Sequence, residues 1–331
     1  MKGHQLMNVV YISTNSYIPF LGISLTSLLK NTSDIYTLDI YILSPDLSLD
    51  NQKKLSSLAK ENQRNIYFKN IPIDISPFSA SSNISGFHPI VLSRLLLTQY
   101  LPERLNTVLY LDCDILVTNS LSELEQIPLN NYAFAAVPEL YMPAKQKKQL
   151  DLLPTDQYYN SGVLLINLDF WRKHQLTRKF INYYETSKNI LLYPDQDILN
   201  HCCKGFIFPL SHKYNLAPVL HYFPRYFIKK YQSAYYCKNK NEYIKILKSP
   251  SIIHFLGDER PWLHGNHNPY RKLYNYYKSI SLWKNEPLIY GKECYLFCYH
   301  ILNCITKVCP WFRKIFTTYF GIHYYKLINK K

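Results

Sequence analysis

The chain has 331 residues, a 47% hydrophobic share and a formal net charge of +15. That length suits one large α/β domain with an appendage, or two modest domains. No run of 18 uncharged apolar residues occurs, which argues against a transmembrane helix. Near the N-terminus, Lys2 and His4 run almost at once into the strand-like Asn8-Val9-Val10-Tyr11-Ile12, with no apolar leader or small-residue cleavage site. The expected location is therefore the cytoplasm. An excess of positive charge points to nucleic acid, anionic membrane or phosphorylated substrates.

Taken in chain order, apolar and β-branched runs predict strands at 8–13, 36–43, 107–111, 133–137 and 162–167. Between them lie helical patterns. Pro19 opens one, followed by Leu21, Leu25, Leu28 and Leu29 at helical spacing. A second runs over 50–62 with Asp50 as its N-cap, and a third over 89–100 through Ile90, Leu92, Leu95, Leu96 and Tyr100. Alternating strand and helix predicts a mostly parallel sheet covered on both faces, with ligands bound beyond the carboxyl ends of the strands. Only nine glycines occur, with no GxGxxG and no GxxxxGK[ST], so a dinucleotide dehydrogenase or a P-loop NTPase is disfavoured. Composition shifts near 265–285, where Tyr, Trp and Lys become dense, and the domain boundary is drawn there.

The sharpest chemical signal is Val108-Leu109-Tyr110-Leu111-Asp112-Cys113-Asp114-Ile115-Leu116-Val117. Unpaired carboxylates inside such an apolar run would be costly to bury. Alternation along an extended backbone puts Asp112 and Asp114 on one side. Two carboxylates converging at a strand end make a hard-oxygen site for Mn²⁺ or Mg²⁺, and such an ion neutralises a diphosphate where no glycine-rich loop exists. The bland alternative is two unrelated turn aspartates.

Tyr110-Leu111-Asp112-Cys113-Asp114 resembles the metal-binding motif of glycosyltransferase family 8, which includes bacterial lipopolysaccharide galactosyl- and glucosyltransferases. Three further segments resemble that family in the same order: Tyr159-Asn160-Ser161-Gly162-Val163-Leu164-Leu165-Ile166-Asn167-Leu168, Tyr193-Pro194-Asp195-Gln196-Asp197-Ile198-Leu199-Asn200, and Ile253-His254-Phe255-Leu256-Gly257-Asp258-Glu259-Arg260-Pro261-Trp262. The resemblance covers roughly residues 7–265. It implies a GT-A type, Rossmann-like transferase domain over 7–268. It also implies retaining, Mn²⁺-dependent transfer of galactose or glucose from a UDP-hexose to a glycan or glycolipid acceptor of lipopolysaccharide or another surface glycoconjugate. Mg²⁺ is the alternative ion.

The resemblance also assigns roles. Asp112, Asp114 and His254 would hold the metal. Gly257 would let backbone approach the diphosphate and Arg260, where the family has Lys, would pair with it. Arg94 would contact the donor; otherwise it is a surface arginine on an amphipathic helix. Cys113 lies between the metal aspartates and joins the donor-binding set. Asn160, Asp195 and Gln196 would line the sugar, Gln196 close to the reacting carbon and Asp197 the nearest ionisable alternative. Asp195 and Asp197 are equally placed to stabilise a helix N-terminus after Pro194. Gln196 is an amide and a poor nucleophile, which leaves a covalent intermediate and front-side attack both open.

At the end of the first strand the chain reads Ile12-Ser13-Thr14-Asn15-Ser16-Tyr17. Thr14 and Ser16 stand where the family has acidic or amide groups for uracil, while Tyr17 remains to stack on the base and Ser13 adjoins it. Glu139 is a candidate acceptor contact. The departures at Thr14 and Ser16 motivate a competing reading, a catalytically decayed scaffold on the same fold; a nucleotidyltransferase is a third.

From Trp283 onward there are eight Lys or Arg against two Glu, mixed with aromatics that include Tyr295, Phe297, Trp311, Phe312, Phe316, Tyr319, Phe320, Tyr324 and Tyr325. Residues 269–331 are expected to form a helical region that attaches to the inner face of the cytoplasmic membrane. The alternatives are a subdomain packed on the core and, least favoured, nucleic-acid binding. Eight cysteines occur without a CxxC pair. They are expected to be free, buried and apolar in role rather than disulfide-bonded or zinc ligands.

Overall fold

The computed structural model describes residues 6–72, 78, 87–187, 190–231 and 240–316. Along the chain run β1 (Leu6–Ile12), α1 (Ile18–Asn31), β2 (Thr37–Ser44), α2 (Leu49–Glu61), β3 (Asn65–Asn70), α3 (Leu97–Tyr100), β4 (Thr107–Leu111), β5 (Ile115–Val117), β6 (Phe134–Pro138), α4 (Ala144–Gln149), β7 (Tyr159–Asn167), α5 (Leu168–Lys173), α6 (Leu176–Ser187), α7 (Pro194–Cys202) and β8 (Ile207–Pro209). There follow α8 (Arg225–Tyr231), α9 (Lys240–Lys248), β9 (Ile252–His254), α10 (Arg271–Ile280), α11 (Glu293–Val308) and α12 (Pro310–Phe316). Among these described residues, no helix is long and apolar enough to cross a membrane.

Two compact units interleave in sequence. The first gathers the chain up to Ile18 with Thr32–Cys113 and Leu121–Leu210; the second gathers Pro19–Asn31, Asp114–Ser120 and the chain from Ser211 onward.

The first unit is a seven-stranded sheet in the order β3-β2-β1-β4-β7-β6-β8. Pairing is parallel throughout except where β7 runs against β4 and β6. The central strands carry apolar runs because both faces are covered; all of β7 except its two end residues is buried. Edge strand β3 instead alternates half-buried and exposed residues and carries Lys69, which discourages further strand pairing. Leucines, Tyr110, Trp171 and Phe180 fill the space beside the sheet. Trp171 also donates its indole N–H to Ala133 O at 2.9 Å, so its burial leaves no orphan donor.

The reversed direction of β7 positions the site. Leu111 pairs with Val163, so the first residues of β7 lie beside the carboxyl end of β4. Asp112 N donates to Gly162 O at 2.8 Å, which extends that pairing by one bond.

In the second unit, β5 and β9 form an antiparallel ladder that sets His254 opposite Ile115. The Nδ2 of Asn31, the last residue of α1, donates to Ser27 O, Val117 O and Tyr277 Oη at 2.9, 3.0 and 2.7 Å. Gly22 of α1 leaves the space that the ring of buried Trp283 occupies.

Several expectations are corrected. The segment 89–100 is a 3₁₀ stretch, Pro89–Leu96, followed by the single-turn α3. The β-branched Ile90 and Val91 are weak α-helix formers, and the tighter winding stacks buried Leu92 on Leu95. The N-cap of α2 is Ser48, whose Oγ accepts from Asn51 N; Asp50 instead pairs with Lys54 at 2.8 Å. Asp112-Cys113-Asp114 is not an extended run, since the chain turns between β4 and β5. Cys113 and Cys203 are buried, but Cys294, Cys298, Cys304 and Cys309 are exposed, against the expectation of burial. These described cysteines are not disulfide-bonded; Cys237 lies outside the described residues. The C-terminal region is helical through α12, while Tyr319, Phe320, Tyr324 and Tyr325 lie outside the described residues.

Candidate functional site

At the carboxyl ends of β1 and β2, short polar side chains tie two loops together. Asn15 N donates to Asp46 Oδ1 at 2.7 Å, and Asn15 Oδ1 accepts from Ser48 N and Asn51 Nδ2. Thr14 and Ser16 share a hydroxyl–hydroxyl bond of 3.1 Å, while buried Ser13 donates its hydroxyl to Thr14 O. Tyr17 closes the turn through its N–H to Thr14 O and is half-buried. Cys113 faces this segment, its thiol 3.4 Å from Ile12 O.

The densest polar network of the first unit centres on Arg94. The 3₁₀ winding of Pro89–Leu96 lets Arg94 Nε donate back to Val91 O at 3.2 Å. Its Nη2 donates to Asp112 Oδ1 at 3.0 Å, and its Nη1 reaches Ser161 O at 2.9 Å, Ser161 Oγ at 3.2 Å and Asp195 Oδ2 at 3.1 Å. The guanidinium carbon stands 4.5 Å from the centroid of the Tyr110 ring, whose hydroxyl donates to Asp112 Oδ1 at 2.6 Å. Burial works against the Arg94 charge, but the carboxylates of Asp112 and Asp195 outweigh it and hold its pKa above the ordinary arginine value. Arg94 is thus a buried clamp on two acids, not a surface arginine.

Pro194 opens α7 and sets Asp195, Gln196 and Asp197 in its first turn. Asp195 Oδ2 accepts from Ser161 Oγ at 2.8 Å, and Gln196 Oε1 accepts from Ser161 N at 2.9 Å. Burial raises the Asp195 pKa, opposed by Arg94 and Ser161. Asp197 is fully buried behind them. Its Oδ1 accepts from Tyr158 Oη at 2.5 Å, and its Oδ2 accepts from the N–H groups of Leu192 and Tyr193, so this carboxylate holds the entry to α7. Burial still pushes its pKa up to about 6. Asn160 Nδ2 donates to Glu139 Oε1 at 2.7 Å, and its Oδ1 accepts from Gly162 N.

In the second unit, His254 Nε2 lies 3.1 Å from Asp114 Oδ1, and its Nδ1 lies 2.9 Å from the Oδ1 of buried Asn215. An amide oxygen only accepts, so Nδ1 carries a proton, and Nε2 is the ring nitrogen turned to the Asp114 carboxylate. Arg260 Nη2 is 3.6 Å from Asp114 Oδ2, and Arg260 Nε donates to Gly257 O at 3.2 Å. Gly257 has φ +85°, a left-handed conformation that glycine adopts without strain. Burial raises the Asp114 pKa, but His254 and Arg260 more than offset it and lower the value to about 2.

Asp114 and His254, 3.1 Å apart in the second unit, each offer a ligand atom, and Asp112 lies two residues before Asp114 in the chain. Two carboxylate oxygens and one oriented imidazole nitrogen are a donor set that fits a divalent cation such as Mn²⁺ or Mg²⁺. Four supporting residues escape sequence reasoning. Ser161 and Tyr110 sit inside motifs already noticed, where a polar group within an apolar run was the available signal. Tyr158 and Asn215 carry no local signal, since only folding brings each to its partner.

A model of the family described as "Glycosyl transferase family 8" matches residues 8–265. The lipopolysaccharide 1,2-glucosyltransferase of Escherichia coli (strain K12) is 30% identical over 286 residues, which cover 85% of this chain and 80% of the relative. General stress protein A of Bacillus subtilis (strain 168) is 26% identical over 286 residues, covering 86% of this chain and 96% of the relative. Among solved structures, galactosyltransferase LgtC in complex with donor and acceptor sugar analogs matches with a TM-score of 0.69 at 23% identity. That match covers 83% of this chain and 96% of the other, and the shared fold is GT-A-like.

Proposed function

The chain belongs to glycosyltransferase family 8 and is a glycosyltransferase, and on that premise we propose that it moves galactose or glucose from a UDP-hexose, with Mn²⁺, to a glycan or glycolipid acceptor. Lipopolysaccharide or a comparable surface glycoconjugate is the acceptor class, in keeping with the Escherichia coli relative. The observation that carries this reading is the Asp114–His254 pair at 3.1 Å, with Asp112 two residues before Asp114 in the chain. A divalent ion held by those three residues supplies positive charge for the diphosphate leaving group.

The remaining roles fall to the chain itself. Ser13, Thr14, Tyr17 and Cys113 border the uridine. Gly257 brings backbone to the diphosphate and Arg260 pairs with it. Arg94 fixes Asp112 toward the metal and Asp195 toward the hexose. Asn160, Asp195 and Gln196 receive the sugar, with Asp197 setting the start of α7 behind them. The carboxylate of Asp195 is engaged by Arg94 and Ser161, that of Asp197 by Tyr158 and two backbone N–H groups, and Gln196 is a poor nucleophile. Both facts favour attack by the acceptor on the face the leaving group occupies, which retains configuration.

Residues 7–268 form the transferase domain in this reading, and 269–331 attach it to the inner face of the cytoplasmic membrane. The support is an exposed stripe on α11 and α12, with Phe297 64%, Val308 86% and Phe312 47% exposed beside Lys307 and Lys314. Apolar and basic groups together suit an anionic lipid surface. Co-sedimentation with anionic vesicles, and its absence with zwitterionic ones, is the expected result; no sedimentation with either removes the membrane role.

The activity is tested by UDP release from a panel of UDP-sugars, with Mn²⁺ and with EDTA. One hexose donor should give metal-dependent release that Asp112→Asn and Asp114→Asn abolish while the fold persists. Release that is indifferent to EDTA and to both variants would sink the reading. Pyrophosphate in place of UDP would reassign the protein as a nucleotidyltransferase.

A further inference from the structure

The loop Gly257–Arg260 follows β9 and lies on the polar side of α11. Three consecutive residues of the loop meet three residues of that helix spaced four apart. Tyr295 Oη donates to Asp258 Oδ2 at 2.8 Å. Tyr299 Oη lies 3.3 Å from where a Cβ on Gly257 would stand. Asn303 Nδ2 donates to Glu259 Oε2 at 2.8 Å. The spacing puts all three on one helix face, opposite the exposed apolar stripe.

This face is built, not incidental. Glu259, Asn303 and Arg313 are almost fully buried. Arg313 of α12 donates to Asn303 Oδ1, and also to Tyr299 Oη at 2.8 Å. The second oxygen of Glu259 accepts from His267 N at 2.9 Å. An arginine and a glutamate are therefore both taken out of water and joined through the Asn303 amide, whose oxygen faces the cation and whose N–H₂ faces the anion. Buried charges are tolerated only where such partners are complete, and a complete buried network fixes one arrangement. A segment serving attachment alone needs no buried charge relay aimed at a glycine loop.

We propose that α11 and α12 are a positioning element of the transfer site: Tyr295, Tyr299 and Asn303 hold residues 257–259 in the conformation that meets the donor diphosphate, and Arg313 orients Tyr299 and Asn303. The inference rests on the diphosphate role given above to Gly257 and Arg260. It makes the C-terminal helices necessary for donor binding in free solution, with no lipid present.

The test is calorimetric titration of the full chain with UDP and with UMP in saturating Mn²⁺, without lipid, below the melting temperature of every variant. Tyr295→Phe removes only one hydroxyl, and Asn303→Leu removes the amide at similar volume. Asn303→Leu should raise the Kd for UDP about tenfold, the scale of one lost buried charge-assisted hydrogen bond, and Tyr295→Phe, whose bond to Asp258 is solvent-exposed, about twofold. UMP, which lacks the second phosphate, should be affected less. A purely structural role lowers the melting temperature but leaves the UDP affinity of the folded protein unchanged, and that result overturns the inference. Gly257→Ala and Arg260→Ala are measured alongside. If they weaken UDP binding while Tyr295→Phe and Asn303→Leu do not, the positioning role alone fails. If they too leave it unchanged, the diphosphate reading of the loop fails and takes the inference with it.

Discussion

Replacing Arg94 by Gln tests the buried clamp most directly. The side chain is 8% exposed and reaches two carboxylates, Asp112 at 3.0 Å and Asp195 at 3.1 Å. Asp195 is itself 6% exposed, so no water replaces the lost cation there. Removing one partner of a buried ion pair typically costs about 3–5 kcal/mol, because the other charge is left without compensation. At about 2.1 cal/mol/K per residue, a chain of 331 residues unfolds with an entropy near 0.7 kcal/mol/K, so the expected fall in Tm is about 4–7 °C. Scanning calorimetry reads that fall. The double variant Arg94→Gln with Asp195→Asn removes both charges and should recover a large part of it, a coupling of about 1–3 kcal/mol. Arg94→Lys should lie between, since an ammonium cannot present the fork that reaches both acids. A Tm within about 1 °C of wild type, or strict additivity in the double variant, would refute the clamp.

Asn215→Leu should weaken Mn²⁺ affinity about 10–100-fold, because His254 Nδ1 loses the acceptor that fixes its tautomer; calorimetric Mn²⁺ titration reads this, and unchanged affinity would separate Asn215 from the metal site. Asp197 gives a pH signature. Its pKa is pushed up by burial to about 6 against an ordinary value of 3.8. Between those values the folded state alone keeps the proton. Its contribution is therefore fully present below about pH 4 and is lost as pH rises through 6, by about 3 kcal/mol. Urea unfolding of wild type and Asp197→Asn from pH 4 to 7 should show that slope only in wild type. Gly22→Ala puts a methyl 2.2 Å from the buried Trp283 ring, so a loss of about 1–3 kcal/mol is expected in thermal unfolding, with partial recovery when Trp283 becomes Phe.

Local sequence was sufficient for the main strands. β4 begins and ends where its apolar run does, and β1, β2, β6 and β7 lie within a few residues of theirs. Buried strands announce themselves because both faces are apolar. β3 escaped notice because an edge strand is half exposed, and β5, β8 and β9 because three residues carry too little periodicity. The four motifs drew attention to most residues of the candidate site, since an acid inside an apolar run has few uses.

What the sequence determined by itself was the presence and type of the reactive groups: paired aspartates, a histidine after an apolar pair, an acid–amide–acid turn after proline. Only the tertiary structure decided which groups meet. Asp112 and Asp114 flank a turn rather than alternate along one strand, and Arg94 is buried between acids 18 and 101 residues away in sequence. Asn303 and Arg313 read locally as parts of a basic, aromatic tail, yet they complete a buried network with Glu259. The physical reason is range. Periodicity and turn chemistry act within a few residues and leave their mark in the local sequence. A hydrogen bond between residues 44 apart, such as Asn303 to Glu259, exists only once packing has removed both groups from water.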